Sequence, residues 1–328
     1  MNVDTIFRAL ADPTRLRITR LLGTMELAVG ELAQVLGQSQ PRVSRHVGIL
    51  CDAGLAERRR EGSWVFLRTP NGAGGISPIV ESVARLLANA EREDPGFAKA
   101  CEDDRRKLAA IRTSRETAAE GYFERHAGEW DELRRLHSPD RFVEEALTKA
   151  LDEKSLGNLL DIGTGTGRMA ELFASGADRI VAMDKNLEML RIARAKLQHL
   201  PADRIELVQG DFSDLPFAAA SFDTVLLHQV LHFAQDPAEA LAEAARVTRP
   251  GGRIAIVDFA AHDHEELRDR HAHARLGFSD RQIRDLLRRS GFTARPPIAL
   301  DEGELVVKIW LGQRREKPLS ATSKERRA

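Results

Sequence analysis

The sequence predicts a multidomain protein of mixed α+β and α/β class: a small helical domain with a β-hairpin, a helical connector, and a doubly wound, Rossmann-like parallel sheet. Two patterns predict this. Apolar residues recur at helical spacing in the first part of the chain, and from Leu156 onward short apolar runs alternate with amphipathic helices. The predicted boundaries are 1–72 for the first domain, 73–155 for the connector, 156–312 for the sheet domain, and 313–328 for a disordered tail.

Composition excludes several classes of protein. The net charge of the 328 residues is −1, which does not mark the whole chain as a polyanion binder. Cys51 and Cys101 alone give neither a disulfide framework nor a thiolate metal cluster. Asp4 near the N-terminus argues against a secretory signal, and no apolar run is long enough to span a membrane. We therefore expect a cytoplasmic protein with no membrane partner.

Charge is distributed unevenly. Residues 1–72 contain ten arginines, no lysine and seven acidic residues, a net charge of +3, whereas residues 73–153 have a net charge of −5. Guanidinium groups bond bidentately to phosphates and base edges, so an all-arginine domain suggests contact with nucleic acid. A solvated surface is the alternative.

The first domain has the pattern of a winged helix-turn-helix. Asp12 is a plausible N-cap for a helix with proline at its first position. A short helix over 29–36 ends at Gly37, and Ser39 begins the next helix, which runs to about Asp52. Two short strands around Glu61 then form a hairpin, the wing.

Three motifs resemble the ArsR/SmtB family of winged helix-turn-helix repressors over residues 1–70: Ala11-Asp-Pro-Thr-Arg-Leu-Arg-Ile, Ser39-Gln-Pro-Arg-Val-Ser-Arg-His and Asp52-Ala-Gly-Leu. The resemblance implies a homodimer that binds a palindromic operator in double-stranded DNA, with one helix in the major groove. The DNA-binding residues that it implies are Gln40, Arg42, Ser44, Arg45 and His46 on the helix and Arg59 and Arg60 on the wing.

Metal sensing, which many members of that family perform, is not expected here. Their thiol sensors have paired cysteines on the third helix, and residues 28–37 contain none. Their imidazole sensors have histidines on the helix after the wing, and residues 76–95 contain none. We predict no metal site in this domain, and interpret Cys51 as a small core residue.

The connector contains two segments of interest. The helical stretch from Ile79 to Asn89 is either the dimerisation helix that the resemblance implies or an amphipathic surface helix. Residues 121–135 place Tyr122, Phe123, His126 and Trp130 at helical spacing. A similar segment covers the cofactor in small-molecule methyltransferases, so Tyr122 is a candidate lid residue; simple packing is the alternative.

Four predicted strands of the sheet domain end in residues that suit a nucleoside ligand. Glycines follow the first strand and lead into a helix, whose free N–H groups favour an anionic or polar ligand. An acid at the end of the second strand suits a ribose diol. The candidate cofactor-binding residues are Asp161, Gly163, Gly165, Gly167, Asp184, Asp211, Phe212 and His228.

With Arg246-Val-Thr-Arg-Pro-Gly-Gly, these residues resemble class I S-adenosylmethionine-dependent methyltransferases over residues 120–312. The resemblance implies S-adenosylmethionine as cofactor and S-adenosylhomocysteine as product. It places the methionine moiety near Asp161 and Gly163, the ribose on Asp184, and the adenine on Asp211 and Phe212. A dinucleotide-binding domain for NAD is the alternative.

The methyl acceptor is predicted to be a small molecule. Strand four lacks the Asn/Asp-Pro-Pro-Tyr pattern of base and amide methyltransferases, and the domain has no cysteine for cytosine C5 or arsenic chemistry. The histidines that follow strands four and five are open to four interpretations: a base, an acceptor-binding site, a metal site or a solvated face. On a helix, His264, Arg268 and His271 would share one face. The candidate catalytic or acceptor-pocket residues are His228, His232, His264, His271 and Tyr122.

Two functions follow. In the first, the chain is a transcriptional regulator whose methyltransferase domain couples cofactor status or small-molecule methylation to transcription. In the second, it is an active small-molecule methyltransferase with an autoregulatory or localising DNA-binding module.

Overall fold

The computed structural model describes residues 2–61, 64–72, 75–135, 140–152, 154–201 and 203–316. The chain divides into two compact units. Unit 1 comprises Met1–Ala119 with Asp263–Glu266, and unit 2 comprises Glu120–His262 with Leu267–Ala328. The segment 73–155, expected as a connector, is therefore shared between the two units.

Unit 1 combines helices with a small antiparallel sheet of order β1-β3-β2. Its described helices are α1 (Val3–Leu10), α2 (Pro13–Leu22), α3 (Val29–Leu36), α4 (Gln40–Asp52), α5 (Pro78–Glu93) and α6 (Pro95–His126), the last of which continues into unit 2. Its described strands are β1 (Leu27–Ala28), β2 (Glu57–Glu61), β3 (Trp64–Arg68), β4 (Asn71–Gly72) and β5 (Gly75–Ile76).

The helix boundaries have local causes that the sequence predicts. The side chain of Asp12 accepts a hydrogen bond from the backbone N–H of Arg15 (3.1 Å), and Pro13 occupies the first position of α2. Gly37 ends α3 in the left-handed conformation, with φ of +63°. The short turn after Gly37 sets α4 against α3 as a helix-turn-helix.

Helices α5 and α6 belong to the core of unit 1. Val80, Val83 and Leu87 of α5 and Leu108 of α6 are buried in the cluster formed by α2, α3 and α4. An ion pair reinforces this packing: Nε of Arg17 donates to Oδ2 of the fully buried Asp104 at 2.6 Å. These contacts fix the first part of α6 to the helix-turn-helix.

Unit 2 is built on a sheet of order β11-β13-β10-β9-β6-β7-β8, with β12 paired to β13. Its described strands are β6 (Asn158–Ile162), β7 (Arg179–Asp184), β8 (Ile205–Gln209), β9 (Phe222–His228), β10 (Thr248–Phe259), β11 (Phe292–Ala294), β12 (Ile298–Leu300) and β13 (Val307–Arg314). Its helices are α7 (Trp130–Arg135), α8 (Asp140–Leu151), α9 (Arg168–Phe173), α10 (Leu187–Leu197), α11 (Pro237–Val247), α12 (Glu266–His271) and α13 (Asp280–Arg289), with 3-10 turns at Ala127–Glu129 and Leu231–Phe233.

The five strands from β6 to β10 are parallel, and both faces of the sheet are covered. Leu159 and Leu160 of β6 are both fully buried but belong to different apolar clusters, one on each face. The strand order reverses at β6, which pairs with β7 on one side and β9 on the other. In such sheets, ligands bind at the carboxyl ends of the strands beside this reversal.

Two interior strands of the sheet, β10 and β13, are long. Strand β10 begins at Thr248, with a register shift between Thr248 and Arg253. Strand β13 extends to Arg314, where Gln313 pairs with Arg253 and Arg314 with Phe292. The tail expected to be disordered from residue 313 therefore begins inside a strand, because the ladder supplies its backbone partners; residues 317–328 lie outside the described residues.

Candidate functional site

Helix α4 exposes one polar face. Val43, Val47 and Leu50 are buried at helical spacing and hold α4 against the core. Four of the five residues predicted to contact DNA from this helix are exposed on the opposite side: Gln40, Arg42, Ser44 and Arg45. This face offers two guanidinium groups, an amide and a hydroxyl, which are the groups that bond to phosphates and base edges.

His46 differs from that prediction. Its side chain is only 13% exposed, and Nδ1 lies 3.6 Å from Oδ1 of Asp12 at the start of α2. Position 46 lies between the exposed face and the buried residues Val43 and Val47, so its ring is turned toward α2. His46 thus packs α4 on α2 and is not part of the exposed face.

The wing presents a different pair of arginines from the predicted one. Successive residues of a strand point to opposite faces, so Arg58 and Arg60 are exposed and Arg59 is not. Arg59 donates to Glu26 at 2.9 Å and to Glu61 at 2.6 Å, and its side chain is 19% exposed. Of the two predicted wing residues, Arg60 is therefore exposed and Arg59 is held in ion pairs, while Arg58 is exposed on the same face as Arg60.

The glycine loop after β6 is shaped by packing as well as by backbone conformation. Gly163 has φ of +69°, and a Cβ there would lie 2.3 Å from Cγ2 of Val230. Gly165 has φ of +55°, and a Cβ there would lie 3.3 Å from Nε1 of Trp130. Gly167 then precedes α9. Gly165 is therefore buried beside Trp130 of the 121–135 segment, whereas Gly163 is partly exposed and has Val230 packed against it.

Two carboxylates fix this loop. The buried Asp161 accepts a hydrogen bond on Oδ2 from Oγ1 of Thr164 (2.6 Å). Asp184, at the end of β7, accepts one from the backbone N–H of Gly165 and one from that of Asn186, both at 2.8 Å. Burial raises the pKa of Asp184, although the backbone hydrogen bonds oppose this shift. The acid predicted to bind ribose is thus also a support of the loop.

Asp211 lies at the end of the next strand in a polar cluster. Its Oδ1 accepts from the backbone N–H and the hydroxyl of Ser213, and its Oδ2 is 3.1 Å from Nζ of Lys185. Burial alone would raise the pKa of Asp211, but these hydrogen bonds and the lysine charge lower it below its usual value. Phe212, half-buried, packs against the apolar cluster beside it.

Asp161, Asp184 and Asp211 therefore lie at or near the carboxyl ends of three neighbouring parallel strands, β6, β7 and β8, at one edge of the sheet. A glycine loop, a carboxylate beside it, and an aromatic ring next to a second carboxylate together fit an adenosine-containing ligand. His228 closes β9 at the same edge and is buried.

A cleft opens in unit 2. Aromatic and imidazole rings make up most of its wall. Its lining residues are Tyr122, Trp130, Leu133, Gln229, His232, Phe233, Phe259, His271 and His273. Gln229 has a positive φ of 52°, an uncommon conformation for a residue other than glycine and one that is enriched at ligand sites.

Tyr122 belongs to the wall of this cleft. Its hydroxyl lies 2.8 Å from Nδ1 of His271, and its ring centroid lies 4.3 Å from that of His126. Burial raises the pKa of Tyr122. The structure thus brings together two of the predicted acceptor-pocket residues, Tyr122 and His271.

A third predicted residue, His232, is held by an acid at the end of β10. The backbone N–H of His232 donates to Oδ2 of Asp258 (3.1 Å), and Nδ1 lies 2.7 Å from Oδ1. Asp258 is fully buried and His232 nearly so. Its ring centroid also lies 4.2 Å from that of His273.

His264 is separate from this group. Its side chain is 41% exposed and lies 3.0 Å from Oε1 of Glu266, which is the first residue of α12. Because the helix begins only at Glu266, the expected helical face with His264, Arg268 and His271 does not form. His264 is not among the residues that line the cleft.

Asp258, His273 and Trp130 were not predicted as site residues. Asp258 lies in the apolar run of β10, where an acid among Ile254, Ala255, Ile256 and Val257 is itself a signal, since a buried carboxylate requires partners. The sequence signal for Trp130 is its helical spacing with Tyr122. His273 gave no separate signal, because its position depends on the turn at Ala272, which has φ of +56°.

Within the described ranges, no group of three or more His, Cys, Asp or Glu side chains is arranged to hold a metal ion. The helices of those same ranges include none that is long and apolar enough to cross a membrane.

Two segments of the chain match families of known proteins. Residues 12–58 match the family described as bacterial regulatory protein, arsR family, and residues 160–256 match the methyltransferase domain family. A demethylmenaquinone methyltransferase of Thermobifida fusca is 34% identical over 140 residues, 42% of this chain and 59% of that protein. An uncharacterized 37.1 kDa protein in transposon TN4556 of Streptomyces fradiae is 34% identical over 172 residues, 50% of this chain and 48% of that protein.

The chain thus spans about half the length of these curated relatives. Among solved structures, a SAM-dependent methyltransferase from Aquifex aeolicus matches with 19% identity and a TM-score of 0.45, covering 56% of this chain and 97% of that one.

Proposed function

We propose that this chain, which joins an arsR-family helix-turn-helix to a methyltransferase domain, is a DNA-binding transcriptional regulator. It couples S-adenosylmethionine or S-adenosylhomocysteine status, or small-molecule methylation, to transcription. The observation that supports this most directly is the occurrence in one chain of an exposed polar face on α4 and of the loop held by Asp184. The two matched families support the same assignment.

DNA binding is proposed to require a homodimer. Large apolar side chains are exposed on α1 and α5: Val3 is 61% exposed, Phe7 68% and Leu86 59%. Exposed apolar side chains of this size favour burial against a second copy. The dimer would set two α4 helices into successive major grooves of a palindromic operator, so the protein would act where the DNA is, in the cytoplasm.

S-adenosylmethionine is the proposed ligand of the sheet edge. In this assignment Asp184 binds the ribose hydroxyls, Asp211 and Phe212 hold the adenine, and the methionine part lies beside Asp161 and the loop of Gly163, Gly165 and Gly167. His228 closes the site at the end of β9. The cofactor supplies a methyl group that is already activated, so the protein has to bind, orient and exclude water.

Coupling between the two functions is proposed to pass through α6. Asp104 and Leu108 of this helix are buried in the core of unit 1, and Tyr122 of the same helix lines the cleft of unit 2. A ligand that orders the Tyr122 end of α6 therefore acts on a helix that also forms part of the DNA-binding unit. The ligand can change DNA affinity only as far as its own affinity differs between the DNA-bound and DNA-free states of the protein.

The test is a titration of a DNA duplex, selected by this protein from a random library, with and without each cofactor form. We expect S-adenosylmethionine or S-adenosylhomocysteine to change the Kd for DNA by about fivefold or more. In Asp184→Ala this response should disappear while cofactor-free DNA binding persists. Equal Kd values under all conditions would reject the coupling.

The second candidate function is an active small-molecule methyltransferase with an autoregulatory or localising DNA-binding module. The cleft lined by Tyr122, His232 and His271 favours it, since a domain that only senses the cofactor needs no acceptor pocket. Formation of S-adenosylhomocysteine in the presence of an acceptor, with no effect of cofactor on DNA affinity, would select this function over the first.

A further inference from the structure

We propose that His232 and Asp258 form the base of a methyl-transfer site, in which His232 takes a proton from the acceptor. The acceptor in this proposal is an uncharged, planar aromatic molecule with an ionisable hydroxyl group. The inference rests on the proposed methyltransferase activity and names the substrate class and the reacting side chain.

Asp258 determines which nitrogen of His232 is available. A carboxylate can only accept hydrogen bonds, so Nδ1 of His232, at 2.7 Å from Oδ1, is the protonated nitrogen. The lone pair of the neutral ring is then on Nε2. Asp258 also accepts from the backbone N–H groups of His232 and Phe259, at 3.1 and 2.8 Å. These bonds fix the tautomer and the orientation of the ring, as a base requires.

The pair lies at the reacting end of the proposed cofactor site. Asp258 is next to the last residue of β10, and His232 is in the turn after β9, the strand that pairs with β6. Val230, two residues before His232, packs directly over Gly163 of the loop. His232 therefore lies on the side of the loop assigned to the methionine part of the cofactor.

The walls of the cleft define the class of acceptor. None of its lining residues is Asp, Glu, Lys or Arg, so a charged acceptor would lose hydration without gaining an ionic partner there. Rings that stack or meet edge to face favour a flat aromatic guest. Those rings are Tyr122, Trp130, Phe233, Phe259 and His273.

Tyr122 and His271 supply polar groups to the cleft in addition to His232. Their hydrogen bond, 2.8 Å long, places a hydroxyl and an imidazole on the wall of the same cleft as His232. A planar acceptor with one hydroxyl at His232 and a second polar substituent at Tyr122 would satisfy both.

The step balances in atoms and charge. The acceptor hydroxyl gives its proton to Nε2 of His232 while its oxygen forms a bond to the methyl carbon. The bond between that carbon and the cofactor sulfur breaks, and its electron pair remains on sulfur. The positive charge of the sulfonium disappears as the imidazolium forms beside Asp258, which stabilises it.

The experiment measures methyl transfer to 1-naphthol, a weakly acidic hydroxyarene, and to 4-nitrophenol, whose hydroxyl is far more acidic, at a pH at which both are largely uncharged. In His232→Ala, turnover of 1-naphthol should fall about 100-fold or more, because proton transfer then has no base. Turnover of 4-nitrophenol should fall far less, since its more acidic hydroxyl loses the proton with little help from a base. Added imidazole should restore part of the lost 1-naphthol turnover.

Asp258→Asn tests the positioning role. It should lower kcat for 1-naphthol with little change in KM, because binding of the acceptor persists while the tautomer of His232 is no longer fixed. His199→Ala is the matched control; that histidine is exposed on unit 2, at the end of α10, and should leave both rates unchanged. Unchanged cofactor affinity, measured by calorimetry, shows that each variant is folded.

Equal losses for the two acceptors in His232→Ala, or no loss for either, would overturn the role of the base. A wild-type protein that binds cofactor but methylates neither acceptor would overturn the acceptor class and leave the proposed function intact. Absence of cofactor binding in the wild type would instead reject the proposed function itself.

Discussion

The carboxylate of Asp184 accepts a hydrogen bond from the backbone N–H of Gly165, with 2.8 Å between Oδ2 and nitrogen. The residue that ends β7 therefore holds the loop that follows β6, and its second oxygen holds the start of the next helix through Asn186. One side chain thus supports the loop and is also the proposed ribose ligand.

Replacement of Asp184 should weaken cofactor binding. Asp184→Ala removes charge-assisted hydrogen bonds to the ribose, each worth about 1.5–3 kcal/mol, so we expect the Kd for S-adenosylhomocysteine to rise at least roughly tenfold. Asp184→Asn, which keeps one acceptor oxygen, should have a smaller effect. Calorimetric titration measures both, with the exposed Asp178→Ala as control. An unchanged Kd in Asp184→Ala would refute the ribose assignment.

Tyr122 allows a direct titration, because it is the only tyrosine in the chain. Burial raises its pKa above the ordinary value of 10.0. In the native protein, phenolate absorbance near 295 nm should therefore appear at higher pH than in urea. The folded state binds this proton more tightly, so its contribution to stability is complete below the unfolded pKa and is lost as pH rises through the folded one. Coincident native and unfolded titration curves would show that Tyr122 is not buried in the cleft wall.

Arg45→Ala should weaken DNA binding. Arg45 is exposed on α4, so its loss removes a phosphate or base contact without disturbing the core. If Arg45 contacts a base, we expect the free energy of DNA binding to become about 1–3 kcal/mol less favourable. If it contacts a phosphate, the slope of log K against log salt should fall by about one. Arg191→Ala removes an exposed charge from α10 of unit 2 and should change neither quantity. Equal DNA affinity in the two variants would contradict the assignment of α4.

The two neighbouring arginines of the wing should differ in their effects. Arg58 is exposed, and its guanidinium lies 3.5 Å from the position of a Cβ on Gly48 of α4, so Arg58→Ala should weaken DNA binding and leave stability unchanged. Arg59→Ala removes the ion pair that Arg59 makes with the buried Glu61 and should cost about 2 kcal/mol of stability. Urea denaturation and DNA titration of both variants check this, and a loss of stability in Arg58→Ala alone would reverse the assignment.

Much of the fold could be predicted from local pattern. Strands β7 and β9 are two of the short apolar runs that the sequence predicts as strands after Leu156, and each is bounded by polar residues or turns. The N-cap Asp12 and the helix end at Gly37 follow from side-chain chemistry and φ alone. The carboxyl-edge residues Asp161 and Asp184 could be found for the same reason, since the edge follows from the βα alternation.

The acceptor site could be predicted only in part, because it depends on contacts between distant residues. His232 and Asp258 are 26 residues apart and meet only because β9 and β10 are neighbours in the sheet. The orientation of His46 depends on where α2 packs, which its own helix does not specify. The exposure of Arg58 together with Arg60 was predictable, since strand alternation alone places residues 58 and 60 on one face and residue 59 on the other.

The central claim is that cofactor binding and DNA binding are coupled, and coupling between two binding sites is reciprocal. The most direct measurement is calorimetric titration of S-adenosylhomocysteine into the free full-length protein and into the protein saturated with its selected DNA duplex. We predict that DNA changes the Kd for S-adenosylhomocysteine by the same factor, about fivefold or more, by which this ligand changes the Kd for DNA. The same Kd with and without DNA would contradict the account.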